Sequence, residues 1–213
     1  MLRLNPEQMA QRVAADIPDG SYVNLGIGLP TKVANYVSGD QQVIYHSENG
    51  ILGVGPAPAT GQENPNLINA GKQHVTLLPG GCYFDNAESF AMMRGGHLDI
   101  AVLGAFQVSE RGDLANWATD NDQFPPAVGG AMDLAVGARR LFVMMRHNTR
   151  DDQPKILEAC SYPLTGAGVV SRIFTDLAVI DVTPKGLQVV ELFGDNRFDE
   201  VQAVTGARLL PPV

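Results

Sequence analysis

Apolar residues recur every four positions near the start of the chain. Residues 5–8 read Asn-Pro-Glu-Gln, a helix start in which the asparagine caps the first turn, the proline lies within it and the glutamine reaches back to the cap. Met9, Val13 and Ile17 then form one apolar stripe. The pattern predicts an amphipathic helix that ends near Gly20.

Short apolar runs separated by glycine-rich turns follow this helix. A strand over residues 22–25, a turn over 26–30 and a helix through Val33 and Val37 lead to a second strand that ends at His46. Later runs without polar alternation, as expected of strands buried on both faces, occupy residues 100–103, 141–145 and 177–180. Strands that alternate with helical segments favour an α/β fold with an open, mainly parallel sheet flanked by helices.

The remaining segments predict a hairpin, a last helix and three irregular stretches. Residues 179–182 and 187–190 flank a Thr-Pro-Lys-Gly turn and predict the hairpin, and residues 198–204 predict the helix. Irregular stretches are expected at residues 50–69, 120–130 and 146–154. The first two are long enough to suggest a functional role, and the third predicts a solvated connection. No internal repeat divides the chain, so we expect one domain over residues 1–213.

Composition narrows the classes of partner. The 213 residues carry 23 acidic and 15 basic side chains, a net charge of −8 that argues against nucleic acid or an anionic membrane surface as a partner but not against an anionic substrate. No apolar run approaches the roughly 20 residues of a membrane span, and the first residues lack a signal-peptide core. Two isolated cysteines, Cys82 and Cys160, are typical of reduced thiols, so a cytoplasmic protein is expected.

The carboxylate of Glu48 is the strongest chemical candidate in the sequence. It lies in the segment Ser-Glu-Asn-Gly at residues 47–50, directly after a predicted buried strand and before Gly53 and Gly55. A strand end on a glycine-rich turn is where open α/β sheets bind ligands, so Glu48 is a candidate nucleophile or base. A surface or helix-capping carboxylate is the alternative that residue type alone favours.

The turn after the first strand resembles half of a dinucleotide-binding fingerprint. Gly26 and Gly28 match, but Thr31 occupies the third glycine position, and Glu48 stands where an acidic residue would bind the ribose. The incomplete match favours a simpler interpretation, in which the backbone lies against a ligand and Asn24 projects polar groups at a strand end.

A second glycine pair, Gly129 and Gly130, precedes a predicted helix through residues 134–138. Exposed N–H groups at such a start can bind an oxyanion, although a plain tight turn has the same signature. The four histidines show no metal-ligand spacing, so no metal site is predicted. Lys72 could pair with an anionic ligand, although a surface lysine is the ordinary case.

Seven segments together resemble the second, or B, subunit of the family I CoA-transferases. They read NLGIGLPT at residues 24–31, SENGILGVGP at 47–56, NAGK at 69–72, ESFAMMRGGHLDIAVLGAFQV at 88–108, GGAMDLAVGAR at 129–139, PLTG at 163–166 and TDLAVIDV at 175–182. The segments follow the family's order over nearly the whole chain. The resemblance implies the family's NagB/RpiA-like fold.

The resemblance also implies roles for individual residues. Glu48 would be the nucleophile, and Gly129 with Gly130 would supply backbone N–H groups to an oxyanion. Asn24 and Lys72 would lie near the pantetheine arm of CoA. The substrate- and CoA-binding set predicted from these motifs is Asn24, Gly26, Gly28, Asn49, Gly50 and Lys72.

The implied reaction moves CoA from succinyl-CoA to a 3-oxo acid through a glutamyl-CoA thioester, without a metal or redox cofactor. The expected acceptor is 3-oxoadipate, in aromatic-compound catabolism, and the alternative is acetoacetate. The second carboxylate of 3-oxoadipate would need a cationic partner, and the sequence leaves Arg94, Arg146, a residue of another chain or no residue as possibilities.

The family implies a partner chain, the A subunit of the CoA-transferase, in a heterodimer or an A2B2 heterotetramer. That partner would supply a further oxyanion donor. The sequence leaves two rival functions open. One is an NAD-dependent oxidoreductase built on Gly26, Gly28 and Glu48, and the other is a ligand-sensing domain of related architecture.

Overall fold

A computed structural model describes residues 1–36, 41–119 and 126–212. The helices are α1 (Pro6–Ala15), α2 (Asn86–Arg94), α3 (Ala131–Gly137) and α4 (Phe198–Ala203), together with a 3₁₀ helix at Leu29–Asn35. The strands are β1 (Tyr22–Leu25), β2 (Ile44–Ser47), β3 (Ile51–Val54), β4 (Leu77–Tyr83), β5 (Ile100–Leu103), β6 (Gln107–Ser109), β7 (Leu114–Ala115), β8 (Arg140–Met144), β9 (Ile156–Leu157), β10 (Val170–Phe174), β11 (Ala178–Thr183), β12 (Gly186–Leu192) and β13 (Leu209–Leu210).

Ten of these strands form one sheet whose centre is parallel. Its order is β13-β12-β11-β10-β8-β5-β1-β2-β3-β4, and β10, β8, β5, β1 and β2 pair in parallel. Antiparallel pairs flank this centre. On one side β10 pairs with β11 and β11 with β12, and on the other β2 pairs with β3 and β3 with β4. The predicted class, α/β with a mainly parallel sheet, is therefore confirmed for the centre, while β6, β7 and β9 form a separate small sheet.

Two hydrophobic cores cover the two faces of the large sheet. Along β5, Ile100 and Val102 belong to the core that contains α1, whereas Ala101 and Leu103 belong to the core that contains α2 and α3. Successive side chains of a strand point to opposite faces, so both parities must be apolar when both faces are covered. This is why the central strands lack polar alternation.

Helix α1 forms as its sequence predicts. Asn5 and Gln8 make a reciprocal capping box, with Gln8 N donating to Asn5 Oδ1 at 2.8 Å and Asn5 N donating to Gln8 Oε1 at 2.9 Å. The stripe of Met9, Val13 and Ile17 is buried against the sheet. The regular helix ends at Ala15, a turn earlier than predicted.

Several boundaries differ from the sequence prediction. The segment predicted as a helix through Val33 and Val37 is a 3₁₀ helix that ends at Asn35, and Val37 lies outside the described residues. The predicted irregular stretch from residue 50 begins with strand β3, because Gly50 closes a hairpin rather than opening a loop. Of the predicted stretch 120–130, only residues 126–130 are described.

The connection over residues 146–154 differs from the solvated stretch that the sequence predicts, and the prediction is wrong for its first part. His147 and Asn148 are 0% and 4% exposed. His147 N donates to Asp176 Oδ1 at 2.7 Å, and Asn148 Nδ2 donates to Val204 O at 2.9 Å. Polar residue types suggest solvent here, but these side chains are buried with hydrogen-bond partners.

The predicted hairpin is confirmed as β11 and β12, with Thr183 paired to Gly186, and the last helix is confirmed as α4. None of the helices in the described part of the chain is long and apolar enough to cross a bilayer.

Candidate active site

A cleft of about 720 Å³ opens at the carboxyl ends of β1, β5 and β8. The chain leaves β1 for β2 on one side and later returns to β5 on the other, so β1 and β5 form the topological switch point of the sheet. Loops diverge at such a point and leave a crevice for ligands. The side chains and backbone that line the cleft include Asn24, Gly26, Glu48, Gly104, Asn116, Gly129, Gly130, Arg146, Arg150 and Lys155.

Glu48 lies on the tight turn that joins β2 to β3. Gly50 N donates to Ser47 O at 3.0 Å and closes the turn. Gly50 has φ of 106°, a conformation that L side chains rarely adopt, and a Cβ there would lie 2.1 Å from Phe84 O. Glycine is therefore required at this position for two independent reasons, and Gly50 shapes the turn that presents Glu48.

A second set of hydrogen bonds fixes the turn to the segment that follows it. Ser47 Oγ donates to Asn49 Oδ1 at 2.7 Å and accepts from Ala70 N at 3.0 Å. Asn49 Nδ2 donates to Ile68 O at 2.8 Å. Asn49, which the motif places among the substrate-binding residues, thus uses both ends of its amide to hold the turn in place.

The carboxylate of Glu48 lies against the backbone of Gly130. A Cβ added to Gly130 would stand 2.1 Å from Glu48 Oε2, so only glycine permits this approach. No residue of the described segments donates a hydrogen bond to the carboxylate. Burial raises the pKa of Glu48, and the charge of Asp133 raises it further. Such a carboxylate is poorly solvated and correspondingly reactive towards an electrophile.

The two adjacent glycines Gly129 and Gly130 are needed for different reasons. Gly129 has φ of 56°, and a Cβ there would meet nothing within 4 Å. Gly130, the N-cap of α3, has an ordinary φ of −80° but would overlap Glu48 if it carried a side chain. Neither N–H donates to any residue of the described segments, so both donors remain available to a ligand in the cleft that the two glycines line.

A buried polar chain lies beneath the turn. Asn24 Nδ2 is 2.9 Å from His46 Nδ1, and His46 Nε2 is 3.1 Å from Ser89 Oγ on α2. His46 also stacks on Phe84 with ring centroids 5.8 Å apart. Because Asn24 donates to Nδ1, the ring carries its proton on Nε2 and donates to Ser89.

His46 supports the site through these contacts. Burial lowers its pKa to about 4, so the ring is neutral at physiological pH. Within the described residues no group of His, Cys, Asp and Glu side chains could hold a metal ion. Asn24, predicted to project into the site, lines the cleft but is only 2% exposed and donates its amide N–H to His46.

The remaining predicted residues lie in different places. Gly26 N donates to Val102 O at 2.8 Å, and a Cβ on Gly26 would meet Leu103 Cδ2 at 2.8 Å, so this glycine lets β1 and β5 approach at the cleft. Gly28 lines a separate cavity of about 290 Å³. Lys72 has φ of 61° and belongs to neither set of lining residues.

Sequence pattern does not identify two groups of residues at the site. His46 lies two residues before Glu48 and outside the quoted segments. Ser89 lies inside the segment over residues 88–108, but nothing in that segment distinguishes it. Lys155 lies in a stretch with no periodic pattern, and only the fold brings it to the cleft.

Several known proteins have sequences similar to this chain. The family model for coenzyme A transferases matches residues 6–192. The chain is 64% identical over 208 residues to the B subunit of 3-oxoadipate CoA-transferase from Pseudomonas putida, covering 98% of this chain and 97% of that protein. It is 46% identical over 201 residues to the B subunit of succinyl-CoA:3-ketoacid coenzyme A transferase from Helicobacter pylori, covering 94% and 96%.

A solved structure shares the fold. Glutaconate coenzyme A-transferase from Acidaminococcus fermentans superposes with a TM-score of 0.69 at 19% identity, covering 98% of this chain and 86% of that one.

Replacing Glu48 with glutamine is expected to raise the melting temperature at pH 8. The carboxylate has no hydrogen bond from residues 1–36, 41–119 or 126–212, and its raised pKa means that folding disfavours the charged form. The stability gain of the variant should be complete at pH values above the raised pKa of Glu48. It should shrink as the pH falls through that pKa towards the ordinary pKa of a glutamate. Thermal unfolding from pH 4 to pH 8 measures this. Glu63→Gln, on an exposed loop, is the control, and an equal gain in both variants would contradict the argument.

Gly50→Ala is expected to destabilise the protein more than Gly61→Ala. Both glycines have positive φ, but a Cβ at Gly61 would meet nothing within 4 Å, whereas one at Gly50 would meet Phe84 O. Strain alone costs about 1–2 kcal/mol, and the backbone overlap adds roughly another 1–3 kcal/mol. Urea unfolding measures the difference, and equal losses would show that the overlap is relieved at little cost.

Proposed function

The chain belongs to the coenzyme A transferase family, and on that basis we propose that it is the B subunit of an enzyme that transfers CoA from succinyl-CoA to 3-oxoadipate. The products would be 3-oxoadipyl-CoA and succinate. The oxidoreductase and sensor hypotheses have no support from the family.

The observation that carries the proposal is the position of the Glu48 carboxylate. It is half-buried in the cleft, lacks a hydrogen-bond donor among the described residues and touches the backbone of Gly130. A structural carboxylate would be paired or hydrogen-bonded, because an unsatisfied charge is costly to bury. A nucleophile needs its lone pairs free and its solvation reduced.

The chemistry proceeds by two exchanges at the same carboxylate. A Glu48 oxygen attacks the thioester carbonyl of succinyl-CoA, forming a mixed anhydride and releasing the CoA thiolate. The thiolate attacks the glutamyl carbonyl of the anhydride, which leaves a glutamyl-CoA thioester and free succinate. The acceptor carboxylate then attacks that thioester, which gives a second mixed anhydride and the CoA thiolate. The thiolate attacks the acceptor's carbonyl in this anhydride, which gives the new acyl-CoA and restores the Glu48 carboxylate.

The glycine pair would stabilise the oxyanions of these steps. Each tetrahedral intermediate carries negative charge on the oxygen of an attacked carbonyl. Gly129 and Gly130 line the same cleft as the carboxylate, and their N–H groups have no acceptor within the described segments. A closed cleft would also protect the anhydride and thioester from water.

Other parts of the catalytic unit are proposed from the family. The A subunit would supply the second oxyanion donor and complete the cleft, in a heterodimer or an A2B2 heterotetramer. Asn24 and Lys72 would approach the pantetheine arm of CoA, and no cofactor beyond the CoA thioester is needed for the steps above. Free Cys82 and Cys160 fit a cytoplasmic enzyme.

Succinyl-CoA is expected to label Glu48. Incubation of the assembled enzyme with succinyl-CoA, followed by borohydride, should reduce the glutamyl thioester to an alcohol at that residue, because a thioester is reduced and a carboxylate is not. Peptide mass spectrometry locates the modification. Glu48→Gln should lose both the modification and at least ~10⁴-fold in kcat.

Glu88→Gln is the control for this experiment, since Glu88 is exposed on α2. Modification elsewhere, or full activity in Glu48→Gln, would overturn the assignment of the nucleophile.

Gly130→Ala is expected to slow thioester formation without unfolding the protein. Its φ of −80° suits alanine, but the new methyl group would displace the Glu48 carboxylate. A displacement of about 1 Å at a reacting atom can cost ~10²-fold in rate. Gly129→Ala should instead lower the melting temperature, because φ of 56° is strained for alanine. Stopped-flow release of CoA and thermal unfolding measure the two effects, and fast thioester formation in Gly130→Ala would contradict the first.

A further inference from the structure

Three cations line the cleft without a side-chain partner in the described chain, and of these Lys155 is the one that is partly buried, whereas Arg146 and Arg150 are exposed. Lys155 is held by its backbone, since Lys155 N donates to His147 O at 3.2 Å and Lys155 O accepts from Val108 N at 2.9 Å. The residue lines the same cleft as Glu48. Among residues 1–36, 41–119 and 126–212, no group makes a hydrogen bond or an ion pair with its ammonium.

The nearest candidate counterion is already occupied. Asp176 acts on Lys155 through its charge, but its Oδ2 forms an ion pair with Arg3 at 2.8 Å and its Oδ1 accepts from His147 N at 2.7 Å. Burial lowers the pKa of Lys155 to about 8 in spite of Asp176. An ammonium that is partly buried, faces a cleft and lacks a dedicated anion is well placed to bind an anionic ligand.

The charges along the cleft are arranged asymmetrically. Glu48 follows β2 along the chain, whereas Arg146, Arg150 and Lys155 all belong to the segment between β8 and β9. In a chain of net charge −8, three cations face one carboxylate among the described lining residues. Arg94, the other cation that the sequence offers for a distal carboxylate, forms an ion pair with Asp133 at 2.6 Å and is not among these residues.

Glu48 and Lys155 line one cleft but come from different sheets. Glu48 lies on the turn between β2 and β3 of the large sheet, whereas Lys155 pairs through its backbone with Val108 of β6 in the small sheet. A six-carbon dicarboxylate is about 6–7 Å long between its terminal carbons, from ordinary bond lengths. A ligand of that length can contact lining residues of more than one element.

We propose that Lys155 is a specificity residue that binds the distal carboxylate of a dicarboxylic 3-oxo acid while the other carboxylate reacts at Glu48. The inference rests on the proposed CoA transfer. Acetoacetate ends in a methyl group and offers no anion to this ammonium. Arg146 and Arg150, which are exposed at the rim, attract the substrate but are more heavily solvated.

The decisive experiment isolates the acceptor half-reaction. The assembled enzyme is first converted to its Glu48–CoA thioester with succinyl-CoA and freed of excess substrate, and the thioester is then mixed with 3-oxoadipate or acetoacetate. In Lys155→Met we expect kcat/KM for 3-oxoadipate to fall by about 30-fold or more, as for loss of one partner of a desolvated charge pair. The value for acetoacetate should change by less than about threefold, and Lys185→Met, on an exposed turn, should change neither.

The pH profile separates a binding role from a structural one. In the wild type, kcat/KM for 3-oxoadipate should fall as the pH rises through about 8, because only the protonated lysine binds the carboxylate. The profile for acetoacetate should lack this fall, the alkaline limb of the pH profile. Lys155→Arg should still turn over 3-oxoadipate but should lose the alkaline limb, since arginine stays charged. The other charged or titratable groups around Lys155 are Asp176, Arg3, His147, Arg146, Arg150 and Glu48, and the acetoacetate profile reports their common effects.

Each result bears on one hypothesis. Failure to form the Glu48–CoA thioester would refute the proposed function, whatever the acceptor. A normal thioester in Lys155→Met whose kcat/KM falls by the same factor for both acids, or is unchanged for both, would overturn the role of Lys155 and leave the transferase intact. Retention of the alkaline limb in Lys155→Arg would also overturn it.

Discussion

The structure depends on one close approach, that of the Glu48 carboxylate to the backbone of Gly130. A charged oxygen must leave water without gaining a hydrogen bond, and it must still be reachable by a substrate. Removing every side-chain atom at Gly130 provides the space, and the hairpin turn closed by Gly50 delivers the carboxylate to it. The sheet brings the two segments together, because only β1 and β5 lie between β2, which precedes Glu48, and β8, which follows α3.

The polar chain beneath the turn explains how this arrangement stays rigid. Asn24, His46 and Ser89 join the ends of β1 and β2 to α2 by buried hydrogen bonds. Each member has a defined donor or acceptor role because the histidine is neutral. The amide of Asn24 therefore acts on the turn that carries Glu48 through the strand that precedes it.

Local signals in the sequence are sufficient for some elements and not for others. The capping box of α1, the two-sided apolar runs and the β11–β12 hairpin depend on neighbours along the chain, and all three form as predicted. Strand β3 and the buried pair His147 and Asn148 do not follow from local pattern, because tertiary partners determine them.

The same division holds within the site. Motifs are enough to single out Glu48, Gly129 and Gly130, and the structure brings these three residues together. Lys155 has no such signal, since nothing in its neighbourhood along the chain distinguishes it from a surface lysine. Only the folded sheet carries it to the cleft.

The separation of Glu48 and Gly130 along the chain has a consequence for biosynthesis. The two residues come from segments on opposite sides of β5, so a nascent or partly folded chain cannot bring them together. The two halves of the proposed site are therefore joined only after the chain has been made beyond Gly130, so a chain truncated before residue 129 would carry Glu48 without the glycine pair.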